Sequence, residues 1–95
     1  NPYLGISAII AGGLYGIDNE LPLPERLAGS AYDADVEHLP TTLREAAALF
    51  GASTIAREAF GDDVVEHYLN QARIEIEAYD AAVTDWERIR GFERL

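Results

Sequence analysis

The segment from Asn1 to Ile17 is the longest apolar run in the chain, and its apolar residues fall on every side of a helix. The Asn-Pro pair at its start is typical of a helix N-terminus, because Asn caps the first turn and Pro lacks the N–H that would go unpaired there. Between residues 3 and 17 only Ser7 and two tyrosine hydroxyls are polar. A helix that is apolar all round is buried all round. We therefore predict a central, buried helix over residues 1–17.

Glycines in this segment indicate close packing by another part of a protein. Each one disfavours a helix by about 1 kcal/mol relative to alanine. Their presence inside a helix is typical of a site where other backbone approaches. The four glycines are Gly5, Gly12, Gly13 and Gly16. A chain of 95 residues has little material to bury such a helix,. We expect the helix to be under-buried in the isolated chain or shielded by neighbouring copies.

The charge balance excludes some classes of partner. The chain has 17 acidic residues against 7 basic ones, all arginine, and a net charge of −10. Binding to nucleic acid or to an anionic membrane requires clustered cations, so neither is expected. The apolar run is too short and too rich in glycine for a membrane span. With no cysteine and no secretion signal pattern, a cytoplasmic protein is expected,.

Residues 18–40 form a long loop in this interpretation. Asp18, Asn19 and Glu20 favour a helix end, and the following stretch contains three prolines and one glycine,. Loops of this length are uncommon in compact domains and tend to be functional or disordered. The sequence LPLPERL at 21–27 suggests a segment that lies along a surface, with its leucines as anchors.

Two short helices are predicted over residues 41–61. Thr42 and Glu45 have the spacing of a capping box, in which each side chain pairs with the other residue's backbone N–H,. Gly51 is expected to end the first helix in a left-handed conformation. Ser53 is expected to cap the second helix and Gly61 to end it.

A long helix over residues 62–83, capped by Asp62, carries a heptad pattern. Its apolar positions alternate at spacings of four and three, as in a helix that packs along one line. This 65–86 seam consists of Val65, Leu69, Ala72, Ile76, Tyr79, Val83 and Trp86. The seam either packs against the other helices of this chain or binds another chain.

The C-terminal end admits two interpretations. One is a single helix that continues to the end of the chain. The other is a break near Thr84, where Thr84 and Glu87 form a second capping box, followed by a separate helix over 85–93,. We favour the break. Since no segment has the alternation of a strand, the isolated chain is predicted to be all-α.

Residues able to perform chemistry are scarce. His38 and His67 lack any helical metal-ligand spacing, and the GGLYG sequence at 12–16 lacks the context of a phosphate loop,. The carboxylates of the long helix lie outside the seam among arginines, which indicates a solvated face. We predict no catalytic, cofactor-binding or metal-binding residue in this chain.

Several stretches together resemble the glutamine synthetase family. Asn1-Pro-Tyr-Leu4, with Ala8-Ile9, Ala11-Gly12 and Gly16-Ile17, is similar to the NPYL segment that opens the C-terminal part of its catalytic domain. Leu39-Pro40 with Leu43–Ala46 resembles a later helix of that domain. Val83–Arg88 with Phe92–Leu95 resembles the tails of bacterial members. The likeness is greater to the branch that includes γ-glutamyl-amine and γ-glutamyl-polyamine synthetases.

The resemblance implies a piece of a larger α+β ligase. Such enzymes are expected to use ATP and Mg²⁺ or Mn²⁺ to form a γ-glutamyl phosphate, which ammonia or an amine then attacks. The family's metal ligands and catalytic arginines precede the NPYL segment, so none is carried over to this chain. The implied role of residues 1–95 is structural. The 1–17 helix would support the active-site sheet of the catalytic domain, and the tail would contribute to ring assembly in a homo-oligomer.

One regulatory position follows from the same resemblance. Some bacterial members accept an adenylyl group on a tyrosine in a loop of sequence NLYDLP. Tyr32 occupies the comparable loop, although Ser30-Ala31 replaces Asn-Leu before it and Ala34-Asp35 replaces Leu-Pro after Asp33. Tyr32 is therefore a candidate for adenylylation, and an ordinary loop tyrosine is the alternative.

A second hypothesis needs no resemblance. The regular seam and the lack of catalytic groups also suit a free-standing acidic helical module that binds a partner or oligomerises through residues 65–86.

Overall fold

The structure, a computed structural model, describes residues 1–30, 32 and 34–94. These residues contain five α-helices. They are α1 (Pro2–Asp18), α2 (Leu43–Ala52), α3 (Thr54–Phe60), α4 (Asp62–Ala81) and α5 (Asp85–Phe92). No strand occurs among these described residues, and the all-α prediction is confirmed. Within the same residues, no helix has the length and apolarity to cross a membrane.

Local capping signals set two of the helix boundaries. The Asn1 Oδ1 accepts hydrogen bonds from the amides of Tyr3 and Leu4, at 3.0 and 3.3 Å. At the other end of the chain, the Thr84 hydroxyl accepts from the Glu87 amide at 3.4 Å, and the Glu87 carboxylate accepts from the Thr84 amide at 2.8 Å. This complete capping box starts α5. The predicted break near Thr84 is confirmed.

The capping box predicted at Thr42 forms only in part. The Thr42 hydroxyl accepts from the Glu45 amide at 3.2 Å, as expected. The Glu45 carboxylate, however, takes its main donors from Thr41, the amide at 3.0 Å and the hydroxyl at 3.2 Å. Thr41 offers both donors to one oxygen, and its hydrogen bonds lower the pKa of Glu45,.

Gly51 and Asp62 do not have the roles predicted for them. Gly51 lies inside α2, which continues to Ala52, so the prediction that it ends the helix was wrong. It faces α4 instead, and a Cβ at Gly51 would lie 3.2 Å from a terminal carbon of Leu69. Asp62 is the first residue of α4 and makes no cap hydrogen bond; Gly61, at φ +81°, precedes it and ends α3. The carboxylate of Asp62 pairs with Arg57 instead.

The packed core is small and lies where α2 and α3 meet the N-terminal half of α4. Val65 is fully buried there, and Ala56 of α3 is also buried. An ion pair of 2.6 Å between Arg44 and Asp80 joins the start of α2 to the end of α4. The helix α1 contacts α3. These contacts join α2, α3 and α4 into one packed group, with α1 against α3.

The overall dimensions show how little of the surface is buried. The radius of gyration is 18.5 Å, whereas a compact domain of this length has about 12 Å. The accessible surface is 8524 Å², against roughly 5,400 Å² for a compact monomer of this mass. Much apolar surface that a self-sufficient domain would bury therefore remains accessible.

Candidate functional site

One side of α1 packs against α3. Ala8 and Ala11 line a narrow cleft with Ile55 and Ala59 of α3. Tyr15, one turn further along the same edge, is half-buried. Since these α1 positions recur at helical spacing, a single stripe of the helix supplies its contacts to the rest of the chain.

The opposite side of α1 is apolar and uncovered. We call this surface the outer face of α1; its exposed members are Tyr3, Ile6, Ile9, Ile10 and Ile17. A stripe formed by Gly5, Gly12 and Gly16 borders it, and no neighbouring atom lies within 4 Å of where a Cβ would stand on any of the three. The expectation that the isolated chain leaves this helix under-buried is confirmed. Glycine permits close approach of another backbone, so this stripe is suited to a tight contact.

The 65–86 seam divides into two halves of different exposure. Val65 is buried, and Leu69, Ala72 and Ile76 are half-buried against α2 and α3. The remaining members are exposed, Tyr79 and Val83 at 70% each and Trp86 at 69%. The heptad spacing does not correspond to one continuous helix, because α4 ends at Ala81 and Val83 lies in the link to α5.

The exposed half of the seam opens onto a cleft at the junction of α4 and α5. This α4–α5 cleft has a volume of about 380 Å³ and is lined by Tyr79, Asp80, Ala82, Thr84, Trp86 and Glu87. Two aromatic and two acidic residues therefore line one concave surface. The guanidinium carbon of Arg90 lies 5.3 Å from the centre of the Trp86 ring, so this ring already attracts one cation,.

Arg57 joins three helices, a role that the sequence did not suggest. Its guanidinium donates to the Gly51 carbonyl at the end of α2, at 3.3 and 3.1 Å. It also donates to Asp62 at 2.7 Å and to Glu66 at 2.8 Å, both on α4. The hydrogen bonds to Asp62 and Glu66 raise the pKa of Arg57. Four of the five guanidinium N–H groups are engaged in these bonds, so Arg57 serves packing and leaves little capacity for a ligand,.

Groups that could perform chemistry stay dispersed. The His67 ring packs edge-on against Tyr68, with 5.4 Å between ring centres, and His38 is exposed in the loop. Over residues 1–30, 32 and 34–94, no three His, Cys, Asp or Glu side chains are grouped so that they could hold a metal ion.

Tyr32 is 98% exposed. Its amide donates to the Ser30 hydroxyl at 3.3 Å. Its neighbours Ala31 and Asp33 lie outside the described residues. Adenylylation of Tyr32 stays a prediction.

Comparisons with known proteins agree on one family. The family model described as "Glutamine synthetase, catalytic domain" matches residues 1–90. The chain is 59% identical over 95 residues to gamma-glutamylethanolamide synthetase GlnA4 of Streptomyces coelicolor. The alignment covers all of this chain and 21% of that protein. It is 40% identical over 93 residues to glutamate–isopropylamine ligase of a Pseudomonas species, covering 95% of this chain and 20% of that protein.

More distant relatives include glutamine synthetase itself. The enzyme of Staphylococcus aureus is 30% identical over 96 residues, covering 93% of this chain and 22% of that protein. The chain thus spans about a fifth of the length of these relatives. No solved structure matches the chain.

Proposed function

Because this chain belongs to the glutamine synthetase catalytic-domain family, we propose that it is the C-terminal helical part of an ATP-dependent ligase that joins glutamate to an amine. The observation that carries the proposal is the 59% identity to a γ-glutamyl-amide synthetase over the whole chain. The relatives' names describe ligases, and the chain covers only a fifth of each, so the activity belongs to a longer protein.

The chemistry proposed for that longer protein follows from the substrate. A carboxylate is a poor acyl donor, so ATP would first convert the glutamate side chain to a γ-glutamyl phosphate, which the amine then attacks. Mg²⁺ or Mn²⁺ would neutralise the charge on the phosphates. The described residues of this chain do not fit an ATP–metal site, since they include no group of metal ligands. We assign no step of the reaction to them.

The role of this segment is structural. The outer face of α1 and its glycine stripe suit permanent burial against the active-site sheet of the same catalytic domain, because the face is apolar and the stripe allows close approach,. The α5 tail would contribute to assembly of a homo-oligomeric ring in the cytoplasm. The exposed aromatic side chains at the C-terminal end support an interface there, since aromatic residues are enriched in interfaces,.

An assay of phosphate release with different amines tests which amine the enzyme uses. We expect the full-length protein, with glutamate, ATP and Mg²⁺, to release phosphate faster with ethanolamine than with isopropylamine or ammonia. This order follows from the 59% identity to an ethanolamide synthetase, against 40% to an isopropylamine ligase and 38% and 30% to two glutamine synthetases. The product should be the γ-glutamyl amide by mass spectrometry.

Omission of glutamate is the control, because phosphate release without it would indicate an unrelated ATPase. Faster turnover with ammonia would show that the protein is a glutamine synthetase and not a ligase for larger amines. Absence of any γ-glutamyl product with all three amines would contradict the proposal.

A helical interaction module remains the second candidate, favoured by the exposure of Tyr79, Val83 and Trp86. Light scattering during size-exclusion chromatography of the 95-residue chain tests it. A monomer that binds no hydrophobic dye would contradict a partner-binding seam.

A further inference from the structure

We propose that α4 and α5 can join into one continuous helix, and that only the capping box of Thr84 and Glu87 keeps them apart. We call residues 82–84, which link the two helices, the α4–α5 joint. The structure shows the broken form, in which α4 ends at Ala81 and α5 begins at Asp85. In the joined form the helix would run through the joint. This change takes place within one chain and is independent of the ligase activity proposed above.

The sequence of the joint suits a helix. Residues 80–86, DAAVTDW, contain neither glycine nor proline, and alanine is the strongest helix former,. The β-branched Val83 and Thr84 disfavour a helix only slightly. The heptad spacing also continues through the joint, from Tyr79 to Val83 and on to Trp86 in steps of four and three,. Because such spacing places side chains on one face only in an unbroken helix, the pattern favours the joined form.

Packing between helices does not hold the break. Among the described residues, α5 makes no extensive contact with another helix. Its apolar side chains Trp86, Ile89 and Phe92 are exposed. The α5 helix could therefore change direction without giving up buried apolar surface, so the break depends on bonds within the joint itself.

The two forms compete for one backbone N–H group. The amide of Thr84 donates to the Glu87 carboxylate at 2.8 Å in the broken form. In a continuous helix the same amide would donate to the carbonyl four residues earlier, that of Asp80. The capping box and the joined helix therefore exclude each other. The other half of the box is weak, since the Glu87 amide lies 3.4 Å from the Thr84 hydroxyl,.

The joined form would also provide acceptors for further backbone groups. In the broken form the amides of Val83, Asp85 and Trp86 donate to no described residue, so water satisfies them,. A continuous helix would give each of them a carbonyl acceptor. Because each exchange of water for a carbonyl contributes little, the box is enough to hold the broken form, and its removal is enough to reverse the balance.

Joining the helices would change the surface that the chain presents. Val83 and Trp86 would fall in line with Ile76 and Tyr79 on a single helix, and the seam would become one straight apolar ridge. The α4–α5 cleft would disappear, because residues on both sides of the turn line it. The capping box would thus act as a switch between a concave surface and a straight one.

Pulsed electron paramagnetic resonance on the full-length protein tests the switch, with spin labels at Gln71→Cys and Arg88→Cys on either side of the joint. Both positions are exposed, and this segment contains no cysteine; any cysteine elsewhere is replaced by serine. Labelled protein is diluted with unlabelled protein so that only pairs within one copy are measured. A matched pair, Val64→Cys and Ala81→Cys, has the same spacing of 17 positions inside α4. It gives the distance for an unbroken helix, about 26 Å between Cα atoms.

Removal of the box should join the helices. With Thr84→Ala and Glu87→Ala together, the distance of the 64/81 pair should appear for positions 71 and 88, and the ratio of joined to broken molecules should rise at least about fivefold. The conservative pair Thr84→Ser and Glu87→Gln keeps the box and should leave the distance of the parent unchanged. Asp85→Pro should keep the broken form even when it is added to the two alanines, because proline suits the first turn of α5 but not the interior of a helix.

Two results would overturn the proposal. If the double alanine variant keeps the distance measured for Asp85→Pro, the box is not what holds the break. If the parent already has the distance of the 64/81 pair and Asp85→Pro does not change it, the box does not control the joint. Loss of the joined distance when proline is added to the two alanines would support the proposal, since it separates a continuous helix from a general loosening of the C-terminal end.

Discussion

Arg57 shows how much of this fold depends on a single side chain. It closes the C-terminal end of α2 through the Gly51 carbonyl and holds Asp62 and Glu66 at the start of α4. A buried or half-buried carbonyl at a helix end needs such a donor, because no intrahelical N–H reaches it. The guanidinium therefore replaces the left-handed glycine cap that the sequence pattern indicated at residue 51.

Arg57→Ala should lower the melting temperature of the 95-residue chain more than Arg73→Ala does. Arg73 pairs with Glu77 within α4 alone, on a surface where ion pairs contribute little,. Arg57→Lys should fall between the two, because an ammonium cannot donate to three separate partners in the same fork geometry. Thermal unfolding followed by far-UV circular dichroism measures the order. Equal losses for Arg57→Ala and Arg73→Ala would show that the junction is not held by this residue.

Glu45 gives a prediction that depends on pH. Its pKa in the folded chain is lowered by the Thr41 amide and hydroxyl, so its carboxylate contributes stability at neutral pH,. That contribution is lost as the pH falls through the folded-state pKa. Glu45→Gln should therefore destabilise the chain at neutral pH, and the difference from the parent should vanish at acidic pH. Urea midpoints measured from neutral to acidic pH test this, and a difference that persists at the acidic end would contradict the assignment.

At the scale of the helices, α1 has an intact local structure although most of its apolar surface is uncovered. Its N-cap is formed by Asn1, and the helix extends from Pro2 to Asp18. Yet a Cβ added at Gly5, Gly12 or Gly16 would meet no neighbouring atom within 4 Å. The glycines therefore weaken the helix in this chain. They would favour stability only if another part of the protein packed closely on them.

Gly12→Ala should consequently act in opposite directions in two contexts. In the 95-residue chain it should raise helix content and stability by up to about 1 kcal/mol, because alanine is the better helix former and the space is open,. In the full-length protein it should lower the melting temperature, because the added methyl would separate α1 from the backbone that covers it.

Ala78→Gly, at an exposed position of α4, is the matched control for that experiment. It should lower stability in both contexts. A stabilising effect of Gly12→Ala in the full-length protein would mean that the glycine stripe is not a packing surface.

The boundaries that the sequence predicted correctly are those decided by neighbouring residues. Asn1 with Pro2 and Thr84 with Glu87 act over three or four positions, so their effect can be derived from spacing alone. Gly51 was misjudged because its role depends on Leu69, which lies 18 positions away in the sequence. The α4–α5 cleft escaped prediction for a similar reason, since it exists only because the chain turns between Ala81 and Asp85.

For the whole molecule, the large accessible surface is the property of the fold that bears most directly on function. The accessible surface exceeds that of a compact monomer by roughly 3,000 Å²,, which is more than a standard protein–protein interface buries in total. The outer face of α1 and the exposed half of the seam lie on different helices, so covering one does not cover the other. Covering both surfaces therefore requires two separate contacts.

The acidic surface leads to a prediction for the molecule as a whole. With 17 acidic and 7 basic residues, like-charge repulsion exceeds attraction when all pairs are summed. Salt screens both, with a Debye length of about 10 Å at 0.1 M. Most side chains of the five ion pairs between described residues are exposed, so screening these pairs lowers stability only a little,. Repulsion acts over longer distances, so salt relieves it more fully.

The melting temperature of the 95-residue chain should therefore rise when NaCl is increased from about 10 mM to about 0.5 M. Most of the rise should come below about 0.2 M, where the Debye length shortens fastest in absolute terms. An equal osmolality of sucrose is the control, since it stabilises by exclusion from the surface without screening. A rise of the same shape in sucrose would assign the effect to solvent exclusion. A melting temperature that falls with salt would show that the ion pairs of Arg44 and Arg57 outweigh the net repulsion and hold the helices together.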